Sequence, residues 1–248
     1  MKHAPLKSSA LIRDENLHSL HGGKKLQYIW DYYKLPLTLL CIVLYIIGYV
    51  IYGRLTHKDT ILYTALVNVS AGEDLTRGLG RDFLDYLNLD PSENKPELYT
   101  GLYLTDDERS EYHQYTYASR MKIQAAIDGE LMDVVLMNRE AFDAFSQSGY
   151  LYDLEELLRS ENPGLYELLS SDLVGNIVIL EDNSMDMLFD SSLAYSAETK
   201  EAFYGIDLSR TSLIGQAGFG EPVYLGIVAN SPRVDTALKY LQYLFTGK

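Results

Sequence analysis

The chain has 248 residues, 47% of them hydrophobic, which is enough for one substantial core and excludes both a disordered chain and a small domain stapled by disulfides. Its 35 acidic against 21 basic side chains give a net charge of -14, so the molecule repels phosphate backbones and no nucleic-acid partner is expected. Residues 1–34 carry six Lys or Arg and three acids, residues 35–53 carry no charge, and the remainder carries 15 basic and 32 acidic side chains, so three regions in three surroundings are expected.

The uncharged run from Leu35 to Gly53 is 19 residues long. At about 1.5 Å per helical residue it reaches about 28 Å, close to a hydrocarbon core of about 30 Å. It is read as a transmembrane helix, with Pro36 in the first turn, and Trp30, Tyr32 and Tyr33 on one side and Tyr49 and Tyr52 on the other at the depths of an aromatic belt. Lys24, Lys25 and Lys34 precede it and an acidic region follows, so the N-terminus is expected in the cytoplasm and the C-terminal part outside. The long N-terminal region, the length of the apolar run and the absence of a small-x-small site in Ile51–His57 argue for a retained anchor. The expected division is a basic tail (1–34), a membrane helix (35–53), a linker (54–60) and an extracytoplasmic domain (61–248). Cys41 is the single cysteine, so the outer domain has neither disulfides nor thiolate metal sites, a mild pointer to a bacterial surface protein.

Ile61–Val69 reads as a buried strand, followed by a capping box, Ser70-Ala-Gly-Glu73, and apolar residues Leu75, Leu79, Phe83 and Leu87 at fourfold spacing. Glu97–Leu104 is a second strand, and Thr105-Asp-Asp-Glu108 opens a long polar helix to about Ile127. A third strand, Leu131–Met137, leads into a helix from Arg139 to about Gln147, stopped by Gly149; Tyr150–Leu158 adds a short extended entry and a helical turn or two. This β-α-β-α-β-α rhythm predicts a parallel or mixed sheet covered by helices, an α/β fold. Beyond Pro163-Gly164 the pattern gives a helix from Tyr166 to Leu173, a strand from Asn176 to Leu180, an irregular stretch from Asp182 to Glu198 and a loop from Asp207 to Glu221. Pro222–Ala229 is a last strand, and Asn230-Ser-Pro232 caps a terminal helix with Val234, Ala237, Leu238, Leu241 and Phe245 on one face.

Motifs for metal-dependent proteolysis, nucleotide binding, serine hydrolysis and thiol redox chemistry are missing from the sequence. His113 is the one histidine within the outer domain away from the membrane, on a polar helix face where a solvated side chain is the plain reading. Asp182-Asn-Ser-Met-Asp186 begins like a calcium loop but has Met187 and Leu193 where Gly and an acid belong, which favours a solvated acidic turn. Asn68-Val-Ser70 fits a glycosylation sequon. No enzyme, cofactor or metal is expected. Of the 21 tyrosines, 15 lie outside the membrane region; such rings stack on sugars or simply pack, and Tyr63, Tyr99, Tyr103 and Tyr224 fall on expected strands.

Asp133-Val-Val-Leu-Met-Asn138, the short helix after it and Gly149-Tyr-Leu-Tyr-Asp-Leu154 resemble bacterial extracellular solute-binding proteins of the type 2 periplasmic-binding fold, as does the closing strand and Asn-Ser-Pro helix of Val223–Phe245. The likeness covers about residues 60–158 and 221–246. Members of that family are usually two-lobed, with a ligand between the lobes; the roughly 60 residues between the matching parts imply a reduced form. The resemblance implies a small solute, a sugar or a peptide, bound without catalysis alongside an ABC transporter.

Ligands of open α/β sheets sit beyond the carboxyl ends of the strands. The candidates by that rule are Asn68, Ser70, Gly72 and Glu73 after the first strand and Asn138 and Arg139 after the third, with Gln216 in the glycine-rich Gly215–Gly220 segment as a further one. The competing reading makes Ser70, Glu73 and Asn138 helix caps. Two functions therefore stand side by side: a membrane-anchored solute-binding domain, or an accessory module of a membrane complex that has lost the cleft. An enzyme would need paired carboxylates or His113 beside a nucleophile.

Overall fold

The computed structural model describes residues 23–190 and 192–247, with side chains from residue 34 onward except those of 54–56. The basic tail before residue 23 and the side chains of Trp30, Tyr32 and Tyr33 lie outside that description, as do the lysines at 24 and 25. The chain divides into two compact units, Met1–His57 and Lys58–Lys248.

In the first unit helix α1 spans Gly23–Thr56, so it takes in the first three of the seven residues expected to form a linker and places Pro36 in its interior rather than its first turn. A proline there removes one helical hydrogen bond. Thr38 Oγ1 donates to the Lys34 carbonyl (2.6 Å), as hydroxyls in membrane helices do. Lys34–Gly53 is long and apolar enough to cross a bilayer and none of it is buried; a signal sequence shares those properties.

The second unit is built on a six-stranded mixed sheet in the order β2-β1-β3-β6-β5-β4. Strands β1 (Asp59–Val67), β2 (Asn94–Leu102) and β3 (Val134–Met137) are mutually parallel, while β6 (Tyr224–Ile227) runs antiparallel to β3. β4 (Leu173–Asp182) and β5 (Ala197–Asp207) form an antiparallel hairpin, which reaches the sheet only where Ile206 and Asp207 pair with Leu225 and Tyr224.

Every residue of β3 is buried, as expected of a strand covered on both faces. Its even-numbered Val134 and Leu136 join a core with Leu62 and Leu66 of β1, and its odd-numbered Val135 and Met137 join a second core with Ala65 and Val67. Helices α2 (Glu73–Leu79), α3 (Arg81–Tyr86), α6 (Leu154–Glu161), α7 (Pro163–Leu169), α9 (Ser212–Ala217) and α10 (Val234–Thr246) supply the first core. Helices α4 (His113–Asp128) and α5 (Arg139–Gln147) supply the second. The remaining helix, α8 (Ser184–Phe189), sits in the turn between β4 and β5 and buries nothing.

Several expectations shift. The helix after β1 starts at Glu73 with Gly72 at its N-cap and no side-chain cap, and Gly80 splits it in two, so Ser70 caps nothing there. α4 begins at His113 because Thr105 is committed elsewhere: its N–H meets Thr116 Oγ1 and its own Oγ1 accepts from the Asp107 N–H. α10 begins at Val234, beyond Pro232, because Ser231 is drawn to Asp133 instead of capping the helix. The stretch read as irregular holds α8 and the first two residues of β5, the rest of which the sequence pattern does not mark as a strand, and the loop before β6 holds α9.

Asp133 is fully buried at the entrance to β3. Its Oδ1 accepts from Ser231 Oγ (2.6 Å), and its Oδ2 accepts from the Tyr63 N–H (2.7 Å) and from Arg233 Nε (2.8 Å). Arg233 also donates to the Glu130 carbonyl and lies over the Tyr63 ring, 4.7 Å from its centre. Removing one member of a buried pair strands the other. Asp133→Ala and Arg233→Leu are each expected to cost about 3–5 kcal/mol in urea unfolding, with the double variant less destabilised than the two effects added. Gly205 has no room for a side chain, since a Cβ would stand 2.6 Å from Phe142 Cε2. Gly205→Ala should cost about 1–3 kcal/mol and loosen the hairpin first, seen as faster hydrogen exchange in β4 and β5.

Candidate functional site

The sheet reverses its order of connection between β1 and β3, the place where open sheets leave a crevice. Here that place is closed by side chains. Asn68, in the left-handed region at φ 57°, donates from Nδ2 to the Leu104 carbonyl (2.6 Å) and to Asn138 Oδ1 (3.0 Å), and accepts the Leu104 N–H at Oδ1 (2.9 Å). Asn138 Oδ1 also accepts the Ala141 N–H (3.0 Å), capping α5. The two asparagines thus meet, as their positions after β1 and β3 imply, but they tie strand ends together. Half-buried and doubly bonded, the Asn68 amide does not suit a glycan.

Ser70, Gly72, Glu73 and Gln216 come together from two distant parts of the chain and line one depression of about 620 Å³, with Asp74, Arg77, Asp82 and Leu213. All four candidate residues are exposed, so this is an open hollow rather than an enclosed cleft. Arg77 is held by Asp74 (2.8 Å) and lies 4.0 Å from Asp82. A second hollow of about 410 Å³ shares Asp82, Leu213 and Gln216 with the first and adds Asp85, Tyr86 and Tyr243. The Tyr86 and Tyr243 rings are 5.2 Å apart, and Tyr243 Oη donates to the Gly78 carbonyl (2.7 Å). Burial pushes the Tyr243 phenol up to about 12.

Arg139 lies apart from these residues. It is exposed on α5, paired with Asp143 (3.0 Å) and 5.6 Å from the centre of the Phe142 ring. Asp143 helps line a third hollow, of about 540 Å³, with Asp106, Glu140, Asp182 and Arg120, the last paired with Asp106 (2.9 Å). Among the described residues no group of three or more His, Cys, Asp or Glu side chains is placed to hold a metal ion. In the calcium-like run, Asp182 Oδ1 accepts from the Ser184 hydroxyl (2.5 Å) and N–H (3.0 Å), bonds that hold its pKa below the usual carboxylate value. His113 is exposed at the start of α4. Tyr103 stacks on Tyr112, with ring centres 4.3 Å apart.

The residues that sequence reasoning passed over are at the end of the β4–β5 hairpin. In α8 Met185 is 65%, Leu188 76% and Phe189 88% exposed, and Phe189 is the most exposed large apolar side chain among the described residues. The signal was present in the sequence, as four large apolar residues, Met185, Met187, Leu188 and Phe189, in the acidic run Glu181–Asp190 that no periodicity assigns to a core.

Comparison with family models, curated proteins and solved structures finds no match to this chain. The resemblance to solute-binding proteins therefore rests on its short motifs alone.

Two measurements check the geometry. Asn68→Ala gives up three side-chain hydrogen bonds and leaves alanine in a left-handed conformation, so a loss of about 3–4 kcal/mol is expected in urea unfolding, with Asn68→Gly, which tolerates that conformation, less affected. Tyr243 has a folded pKa above its unfolded value of about 10, so its contribution to stability is complete below pH 10 and falls as pH rises from 10 through 12. Tyr243→Phe should flatten that part of the alkaline stability profile.

Proposed function

We propose that the chain is a single-pass membrane protein, with its N-terminus in the cytoplasm, whose outer α/β domain is a non-catalytic interaction module of a membrane complex. The anchor is supported by the uncharged run Leu35–Gly53, none of it buried, and the orientation by the basic residues before it. One observation carries the interaction reading: Met185, Leu188 and Phe189 stand in solvent at the end of a hairpin, while the strand-end position where a ligand would enter is filled by the Asn68–Asn138 contact. Burying a large apolar side chain gains roughly 1.5–3 kcal/mol, so three on one short helix offer a partner a compact anchor.

A second reading, a small solute held as in solute-binding proteins beside an ABC transporter, is favoured by a different observation. Ser70, Gly72, Glu73 and Gln216, chosen from sequence, share one hollow, and tyrosines line the adjoining one.

The readings separate in two assays on the full-length chain. A photo-reactive residue at Phe189 in native membranes is expected to give a protein adduct, and the same residue at Gln216 to give none. Thermal unfolding against sugars, short peptides and amino acids is expected to stay flat. A solute at about 100 times its dissociation constant would add about 2.7 kcal/mol, a shift of several degrees. Such a shift, abolished by Glu73→Ala with Gln216→Ala and accompanied by no adduct at Phe189, would replace the first reading with the second.

A further inference from the structure

β4 is the outermost strand of the sheet, with β5 as its only strand partner. It is ten residues long, Leu173-Val-Gly-Asn-Ile-Val-Ile-Leu-Glu-Asp182, with no Lys and no Pro to discourage pairing and four consecutive large apolar residues, Ile177 to Leu180. An open edge of this kind is a template for another strand, and proteins that have no use for one blunt it.

We propose that the occupant of this edge is β4 of a second copy of the chain, paired antiparallel about a two-fold axis through Ile177. This deepens the interaction-module reading and rests on it. Three features of the strand support self-pairing.

A two-fold axis perpendicular to the sheet sets each residue against one on the same face, so the pairing centres on a residue facing its own counterpart. Ile177 is suited to that place. Its neighbours Val174 and Val178 belong to the core on the α5 side, and Asn176 reaches across to Asp143 (2.8 Å), so the alternating Ile177 side chain points to the opposite face.

Charge is the second feature. The acids of β4 itself lie at one end, Glu181 and Asp182 with Asp186 and Asp190 just beyond, whereas the other end carries Arg210, bonded to Asp172 and to the Leu168 carbonyl; on the inner strand β5, Glu201 stands opposite Ile177 and Asp207 at the Arg210 end. Antiparallel pairing sets the acidic end of one copy against the Arg210 end of the other. Leu173 then faces Glu181 of the second copy, and Asp172, its charge already met by Arg210, faces Asp182. Parallel pairing would instead align acid with acid.

The third feature is apolar. Leu180 near one end of β4 and the α8 residues beyond that end are exposed, and Leu168, on α7 just before the other end, is 44% exposed. The two-fold axis carries the hairpin end of each copy past the α7 end of its mate, so both exposures are covered at once, twice per dimer.

The test uses the full-length chain in liposomes, with Cys41→Ser removing the native thiol. Ile177→Cys in that background is treated with a bismaleimide whose spacer reaches about 8 Å, enough for directly opposed or diagonal strand neighbours. Most of the protein is expected as a cross-linked pair, whereas Glu73→Cys, on the distant helix α2, gives none. Ile177→Glu sets two carboxylates face to face on the axis, and a drop from two-chain to one-chain mass is expected in sedimentation of the detergent-solubilised chain, with unchanged melting by circular dichroism. Dimers formed by α1 alone would survive that substitution. If Ile177→Glu fails to fold, Leu180→Glu, on an exposed side chain, takes its place. One-chain mass in the unsubstituted protein together with absent cross-linking overturns the pairing. A photo-adduct at Phe189 with a different protein, alongside one-chain mass, overturns self-pairing and leaves the interaction-module reading standing; no adduct of any kind overturns both.

Discussion

The unit Lys58–Lys248 depends on one buried carboxylate. Asp133 is a charge in a place without water, and it is tolerable because each of its oxygens is engaged and an arginine balances it. The partners come from two parts of the chain, Tyr63 in β1 and the connection from β6 to α10 that holds both Ser231 and Arg233, so satisfying the charge fixes where β1, β3 and the C-terminal helix lie relative to one another. The strand order follows from this. β3 carries two neighbours because its entrance holds both the parallel strand β1 and the returning chain beyond β6, where the Val228 N–H donates to the Asp133 carbonyl (2.9 Å).

At the opposite ends of the same strands, Asn68 and Asn138 do comparable work with neutral groups. A crevice at a change of strand order is useful for binding only when its polar groups are left free for a ligand. Here the groups satisfy one another and the backbone around Leu104, which makes the position a fastening. What remains concave is displaced outward, to the hollow between α2 and α9, where rims of exposed carboxylates face water. The domain therefore has rigid strand ends and puts its unsatisfied surface, both apolar side chains and strand edge, on the β4–β5 hairpin.

How much of this was legible in the sequence varied with the physics involved. β1, β3, α5 and α10 were readable because burial on one face or two leaves a period in the residues. β5 was not: its first five residues, Ala197–Glu201, are largely solvated and polar, held by pairing with β4 rather than by a core, and pairing leaves no period. Helix starts were misjudged where a residue had other bonds to make: the Ser231 hydroxyl goes to the distant Asp133, and the Thr105 backbone meets Thr116 Oγ1 while its own Oγ1 takes the Asp107 N–H. Among the candidate residues the sequence rule located the right loops, and Ser70, Glu73 and Gln216 do meet. It could not reveal that Asn68 and Asn138 would spend their amides on each other, since that depends on distances between segments 70 residues apart.

The net charge of residues 54–248 bears on the proposed pairing. A domain with 17 more acids than bases repels its own copy, and at physiological salt that repulsion fades over a Debye length of about 8 Å. Only charges close to the contact therefore decide whether the edges can meet. On β4 these are Glu181 and Asp182, both at one end, and the antiparallel register is the arrangement that sends them to opposite ends of the joint. The strand's centre, from Gly175 to Leu180, carries no charge, and the Ile177 N–H there is met by Asn176 Oδ1 (2.8 Å), a side-chain bond that a partner strand's carbonyl would replace. The same acidity that discourages promiscuous contact over the rest of the surface thus leaves one uncharged line along which a second strand can add, and the line is long enough to define a register.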